Sequence, residues 1–248
     1  MDETVDLLVR WTTMRDRTRC VAVADMHVVA EAQRDRDYWK VLETADLCVA
    51  DGTPLMLMGR ISGFRMERRV YGPDLMLSVL KRTARCGIRH FFYGGAAGVP
   101  EELARRMMAR FPGLELAGTH SPPFAPFSPV EDPVVLEKIN RCRPDVLWVG
   151  LGAPKQERWM ATRKLNVKAP LLIGVGAAFD FHAGRVQQAP SWMREHGLEW
   201  LFRLKSEPRR LWKRYLLSGS EVAFKLLIEI STGRFREREM PLRRAAGS

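Results

Sequence analysis

Asp51 is the residue in this chain best suited to take a proton from a substrate. It closes the apolar run Asp46-Leu-Cys-Val-Ala50, where partial desolvation favours proton uptake, and Gly52 leaves room beside it. The same position also suits a helix cap by Asp51 or Thr53, and position alone leaves both roles open. Asp180 in Gly176-Ala-Ala-Phe-Asp180-Phe-His182 is a second candidate base, and Asp25 follows a further apolar run, Arg19 to Ala24. Two turns suit a phosphate: Gly94-Gly95-Ala-Ala-Gly98, and Gly150-Leu-Gly-Ala-Pro-Lys155-Gln156-Glu157. Without side chains, backbone N–H groups and a helix N-terminus can approach an anion closely. Lys155 can meet a phosphate there, and the Gln156 amide can pair with a base or sugar edge. The competing roles are a tight turn before a packed helix and, through Glu157, a salt-bridged first helical turn.

Other chemistry finds less support. Neither glycine turn has the G-K-[ST] of a nucleotide-triphosphate loop or the G-x-G-x-x-G of a nicotinamide site. Cys20, Cys48, Cys86 and Cys142 form no C-x-x-C, and the five histidines form no metal-binding pair. No metal site and no cofactor is expected, and the thiols read as buried cysteines of a reducing compartment. Asp35-Arg-Asp37 lies in a charged stretch read as helical, and is expected to be a solvated face.

These residues need a scaffold, and the apolar pattern supplies one. Runs at 19–24, 46–50, 88–93, 114–118, 145–150 and 171–176 read as strands. Helical patterns intervene at 28–44, 53–61, 73–85, 99–111, 134–142 and 154–165. Such alternation predicts an α/β fold with a doubly wound, mostly parallel sheet. In that architecture ligands bind outside the carboxyl ends of the strands, where Asp25, Asp51, Asp180 and the two glycine turns fall. Two segments break the rhythm. His120 to Pro133 holds five of the fifteen prolines and reads as a stiff loop. After Gly184 no strand pattern returns, so a catalytic α/β domain is expected over 1–184 and a helical, basic appendage over 185–248, frayed from 234.

The appendage carries much of the charge. The 248-residue chain has 40 Lys+Arg and 29 Asp+Glu, a net +11. Residues 185–248 hold 14 bases and 7 acids, or +7 of that surplus. In Pro208-Arg-Arg-Leu-Trp-Lys-Arg-Tyr-Leu-Leu217 the bases and apolar residues fall on opposite faces of a helix. An anionic membrane surface attracts such a helix; an ordinary solvated face over a core stripe has the same pattern. No uncharged apolar run is long enough to span a bilayer, and the acidic N-terminus lacks the features of a secretory signal. With pI ≈ 10, a basic nucleic-acid-binding α/β protein is the alternative, although no recognised nucleic-acid motif accompanies the charge.

In order along residues 20–215, the motifs resemble those of the bacterial WecG/TagA/CpsF glycosyltransferases. The strings are Ala45-Asp-x-x-x-Ala50-Asp51-Gly52, Glu67-Arg-Arg69-Val-Tyr-Gly72-Pro-Asp74-Leu75, Phe92-Tyr-Gly94-Gly95 and Gly150-Leu-Gly152-x-Pro154-Lys155-Gln156-Glu157-x-Trp159. They continue with Phe179-Asp180-Phe, Ala189-Pro190-x-Trp192, Gly197-Leu-Glu199-Trp200-x-x-Arg203 and Glu207-Pro208-x-Arg210. The resemblance implies a Rossmann-like fold and an inverting, metal-independent hexosyl- or N-acetylhexosaminyltransferase. Such an enzyme moves a sugar from a UDP-sugar to a polyprenyl-diphosphate-linked sugar in cell-surface polysaccharide synthesis. It further implies Asp51 as the base that deprotonates the acceptor, with Arg69 and Gln156 near the nucleotide-sugar. Asp25, Gly94, Gly95, Lys155, Glu157 and Asp180 would line the substrate site. Arg203, Arg209, Arg210 and Arg214 would meet the acceptor diphosphate at the membrane. The expected location is the inner face of the cytoplasmic membrane, with no nucleic-acid partner and with room for a homo-oligomer. Val23-Ala24-Asp25 replaces the family's Thr-x-Asn, which bears on sugar contacts. Ser121-Pro-Pro-Phe124 is similar to exopolysaccharide-type members and points to glucose or a related donor.

Overall fold

The computed structural model describes residues 1–61, 63, 69–122, 132–195 and 198–206. Its six strands are β1 (Arg19–Ala24), β2 (Leu47–Ala50), β3 (Arg89–Gly94), β4 (Glu115–His120), β5 (Val146–Gly150) and β6 (Leu171–Gly174). They form one open sheet in the order β2-β1-β6-β5-β3-β4. The pairs β1–β6, β6–β5, β5–β3 and β3–β4 are parallel. This is the doubly wound α/β architecture that the strand–helix alternation predicts. All six residues of β1 and all four of β6 are buried, as parallel strands covered on both faces should be. At the β4 edge no residue is fully buried.

The chain folds as two compact units: residues 1–23 with 72–187, and residues 24–71 with 188–248. The first holds α1 (Asp2–Thr13), α5 (Gly72–Thr83), α6 (Val99–Arg110), α7 (Asp132–Cys142), α8 (Lys155–Arg163) and α9 (Ala178–His182). Strand register sorts its core into two layers. Cys20, Leu172, Leu147 and Phe91 are aligned across one face, in a cluster with Ile139, Trp159 and Met160. Val21, Ile173, Trp148 and Phe92 are aligned across the other, all fully buried. A polar chain runs through that second layer. The Trp148 indole donates to His90 Nδ1 at 3.1 Å, so the His90 proton sits on Nε2, 2.9 Å from Thr83 Oγ1. The Thr83 hydroxyl in turn donates to the Val79 carbonyl at 2.7 Å. At the amino ends of β3 and β5, next to His90, Asp145 pairs with Arg15 and accepts from the Arg89 backbone N–H at 2.8 Å.

The second unit holds α2 (Met26–Arg34), α3 (Arg36–Glu43), β2, α4 (Thr53–Ile61), α10 (Ser191–Glu195) and α11 (Glu199–Ser206). The single helix expected over 28–44 is two helices. Asp35 leaves helical geometry at ψ 103°, ends α2 and caps α3 by accepting from the Asp37 and Tyr38 N–H groups. Asp35-Arg-Asp37 therefore opens α3 at a helix junction, and all three residues are exposed, as a solvated face should be. Periodicity survived the break because one non-helical residue barely disturbs the apolar stripe. Helices α1 and α9 fall outside the elements the sequence pattern proposed. The core of the proline-rich loop, 123–131, and the tail from 207 lie outside the described residues.

Candidate active site

In the first unit the carboxyl ends of β3, β5 and β6 are built around glycine. Gly94 has φ +122°, and a Cβ there would lie 2.6 Å from the Gly150 carbonyl carbon and oxygen. The Gly95 N–H donates to that carbonyl at 3.0 Å, so the two strand ends meet backbone to backbone. Any other side chain at Gly94 would have both a strained backbone and no space. Ser121 Oγ donates to the Gly95 carbonyl at 2.8 Å and ties the β4 exit to the same turn. At Gly150 a Cβ would meet the Phe179 ring at 2.7 Å.

Gln156 is 3% exposed and braces this end of the sheet from within. Its Oε1 accepts from the N–H groups of Gly152, at 3.2 Å, and Gly176, at 3.0 Å. Its Nε2 donates to Glu157 Oε1 at 2.8 Å, and Glu157 is equally buried. A buried amide satisfied at this many points holds the β5 and β6 exit loops in fixed relation. The side-chain oxygen that a ligand edge would need is thus engaged with the backbone. Lys155, one residue earlier, is exposed. Asp180 is half-buried on α9, and its backbone carbonyl accepts from the Arg185 N–H at 2.9 Å.

The second unit places Asp51 directly after β2. Its N–H donates to the Ala24 carbonyl at 2.7 Å, and the Ala50 carbonyl accepts from the Val70 N–H at 3.0 Å. The first bond of α4 runs from the Met56 N–H to the Gly52 carbonyl at 3.3 Å, which makes Gly52 the cap position and leaves Asp51 one residue outside the helix. Asp25 has a structural task. Its Oδ1 accepts from the His27 and Val28 N–H groups at 2.9 and 3.0 Å and caps α2.

A cluster that the sequence did not single out lies beside Asp51. Tyr71 is buried, and its hydroxyl donates to Glu199 Oε1 at 2.6 Å while accepting from Gln188 Nε2 at 3.1 Å. Two guanidiniums lie against its ring: Arg69 at 5.0 Å and Arg194 at 5.7 Å from the centroid. Burial pushes the phenol's pKa far up, the Glu199 charge and hydrogen bond add to it, and the Asp51 charge contributes further. Tyr71 and Glu199 stand within motif strings, but nothing in residue type or spacing pairs positions this far apart. Arg203, one turn beyond Glu199 on α11, is half-buried. Arg209, Arg210 and Arg214 lie outside the described residues.

Trp192, Trp200 and Leu201 on α10 and α11 are exposed. Among the described residues no three His, Cys, Asp or Glu side chains gather as a metal-binding group, and no helix is long and apolar enough to cross a membrane.

The chain matches known proteins along most of its length. Residues 1–236 match the model of the Glycosyl transferase WecG/TagA/CpsF family. An N-acetylglucosaminyldiphosphoundecaprenol N-acetyl-beta-D-mannosaminyltransferase of Bacillus subtilis is 31% identical over 79% of this chain and 74% of its own. The protein of the same name from Bacillus spizizenii is 32% identical over 83% and 78%, respectively. That from Staphylococcus aureus is 27% identical over 77% and 73%.

Proposed function

The chain belongs to the WecG/TagA/CpsF family of glycosyl transferases, and from that premise we propose that it transfers a sugar from a UDP-sugar to a polyprenyl-diphosphate-linked sugar with inversion. The relatives named above act, by name, on N-acetylglucosaminyl-diphosphoundecaprenol, which supports a lipid diphosphate acceptor. The observation that carries the catalytic assignment is the position of Asp51. It stands at a strand's carboxyl end, outside the α4 cap, with an arginine-bearing cluster beside it.

Asp51 takes the proton from the acceptor hydroxyl as that oxygen attacks the anomeric carbon. The carbon–oxygen bond to the diphosphate breaks on the opposite face, and UDP leaves with the electron pair. Arg69, in the second unit, offsets the charge gathering on that diphosphate, and the backbone N–H groups near Gly94 and Gly95, in the first, suit an anion. Lys155 adds a cation, and Asp180 contacts the sugar. Gln156 and Glu157 serve by fixing the loops, and Asp25 by fixing α2. Cationic side chains do the work that a divalent ion does in other transferases, so the reaction proceeds without metal. The basic segment over 185–248 docks on an anionic membrane, and Arg203, Arg209, Arg210 and Arg214 meet the acceptor diphosphate.

The test is UDP release by the full chain in EDTA, with a polyprenyl-diphosphate N-acetylglucosamine acceptor. The donors are UDP-N-acetylmannosamine, UDP-glucose and related UDP-sugars. One pair should support turnover, and Asp51→Asn should lower it about 10²- to 10⁴-fold, the usual worth of a general base. Full turnover by Asp51→Asn would remove the base assignment. Release that stops in EDTA and returns with Mg²⁺ would remove metal independence.

A further inference from the structure

The Tyr71 cluster joins parts of the second unit that are far apart in sequence. The residue before it, Val70, is hydrogen-bonded to Ala50, the neighbour of Asp51. Its hydroxyl reaches Glu199, the first residue of α11, and Gln188 on the segment leading to α10. Its ring carries Arg69 from its own segment and Arg194 from α10. A guanidinium against an aromatic face donates through N–H groups that lie in its own plane, the geometry that an oxyanion takes. Arg194 donates Nε to the Ala189 carbonyl at 3.2 Å, which orients its far end.

We propose that Tyr71 is a positioning residue for the transfer reaction: its hydroxyl pins α11 through Glu199, and its ring seats Arg69 and Arg194 as a pair of diphosphate ligands before substrate arrives. This assignment rests on the transferase reading above. It gives Arg194 a binding role alongside Arg69, and makes the phenol the joint through which α11, and Arg203 one turn along it, is set with respect to Asp51. Burial and the Glu199 carboxylate keep the phenol protonated, so the hydroxyl remains a donor throughout the working pH range.

Three substitutions in the full chain separate the parts. Tyr71→Phe keeps the ring and removes the hydroxyl. It should speed amide hydrogen exchange over residues 199–206 and raise the KM for the lipid acceptor about tenfold with kcat nearly unchanged, as expected when a hydrogen bond to a charged group is lost. Glu199→Gln retains an accepting oxygen and should hold that KM within about threefold of the parent, whereas Glu199→Ala should reproduce the Tyr71→Phe rise. Arg194→Gln should weaken binding of UDP or of the acceptor about tenfold, without faster exchange over 199–206. Unchanged exchange and unchanged KM in Tyr71→Phe would overturn the pinning role, and unaltered affinity for both ligands in Arg194→Gln would overturn the paired-arginine role. The exchange measurement needs no turnover. If the parent chain releases no UDP with any donor, the transferase reading falls, while exchange still decides whether Tyr71 holds α11.

Discussion

Asp51 and Asp25 show how one residue type takes different work from its neighbours. Asp25 Oδ1 accepts from two backbone N–H groups and caps α2. Asp51 has its backbone tied by Ala24 and a glycine in the cap position after it. His90 is the counterpart in the core. It accepts from Trp148 and is fully buried, and burial lowers its pKa from 6.5 to about 3. A histidine whose folded pKa is depressed contributes stability above its unfolded pKa and loses it as pH falls through the window from 6.5 toward about 3. His182, lowered chiefly by its own burial, acts in the same direction. Between pH 7 and 5, His90 alone should reduce unfolding free energy by about 2 kcal/mol, read as a falling urea midpoint. His90→Asn should flatten that slope; a slope unchanged by the substitution would show that other groups set it.

Among elements, the Asp35 junction illustrates what sequence patterns resolve. The central strands are legible because parallel strands covered on both faces must be short, continuous apolar runs, and β1, β5 and β6 are such runs. The glycine turns are legible because Gly94 permits no side chain. The α2–α3 break is not, since its signal is a single capping carboxylate inside an amphipathic stripe. Asp35→Ala should cost about 1 kcal/mol, seen in denaturant unfolding, through loss of the α3 cap. An unchanged midpoint would mean that packing alone fixes the junction. The Tyr71 cluster was illegible for another reason. Tyr71 and Glu199 stand in separate motif strings, and a contact across so many residues leaves no periodicity to detect.

For the molecule as a whole, the net charge of +11 takes on meaning from its distribution. The surplus is concentrated after residue 184, where exposed Trp192 and Trp200 accompany it. The chain should bind vesicles containing anionic lipid, bind zwitterionic vesicles poorly, and be released by salt. Changing Arg209, Arg210 and Arg214 together to glutamine should remove about 3 kcal/mol of that binding, near 1 kcal/mol for each base at an anionic surface. Equal sedimentation with both vesicle types would leave the docking proposal without support.

The second unit is assembled from two separate stretches of chain, 24–71 and 188–248. That arrangement sets a schedule during synthesis. Tyr71 leaves the ribosome well before Glu199 exists; at about 5–20 residues per second the wait is roughly 6–25 s. For that interval the newborn segment around Asp51 lacks Gln188, Arg194 and Glu199, the residues that later close around its tyrosine. The polypeptide therefore passes through a stage in which the stretch bearing Asp51 is made and still lacks these partners. The contacts around Tyr71 can close only once translation has supplied α10 and α11.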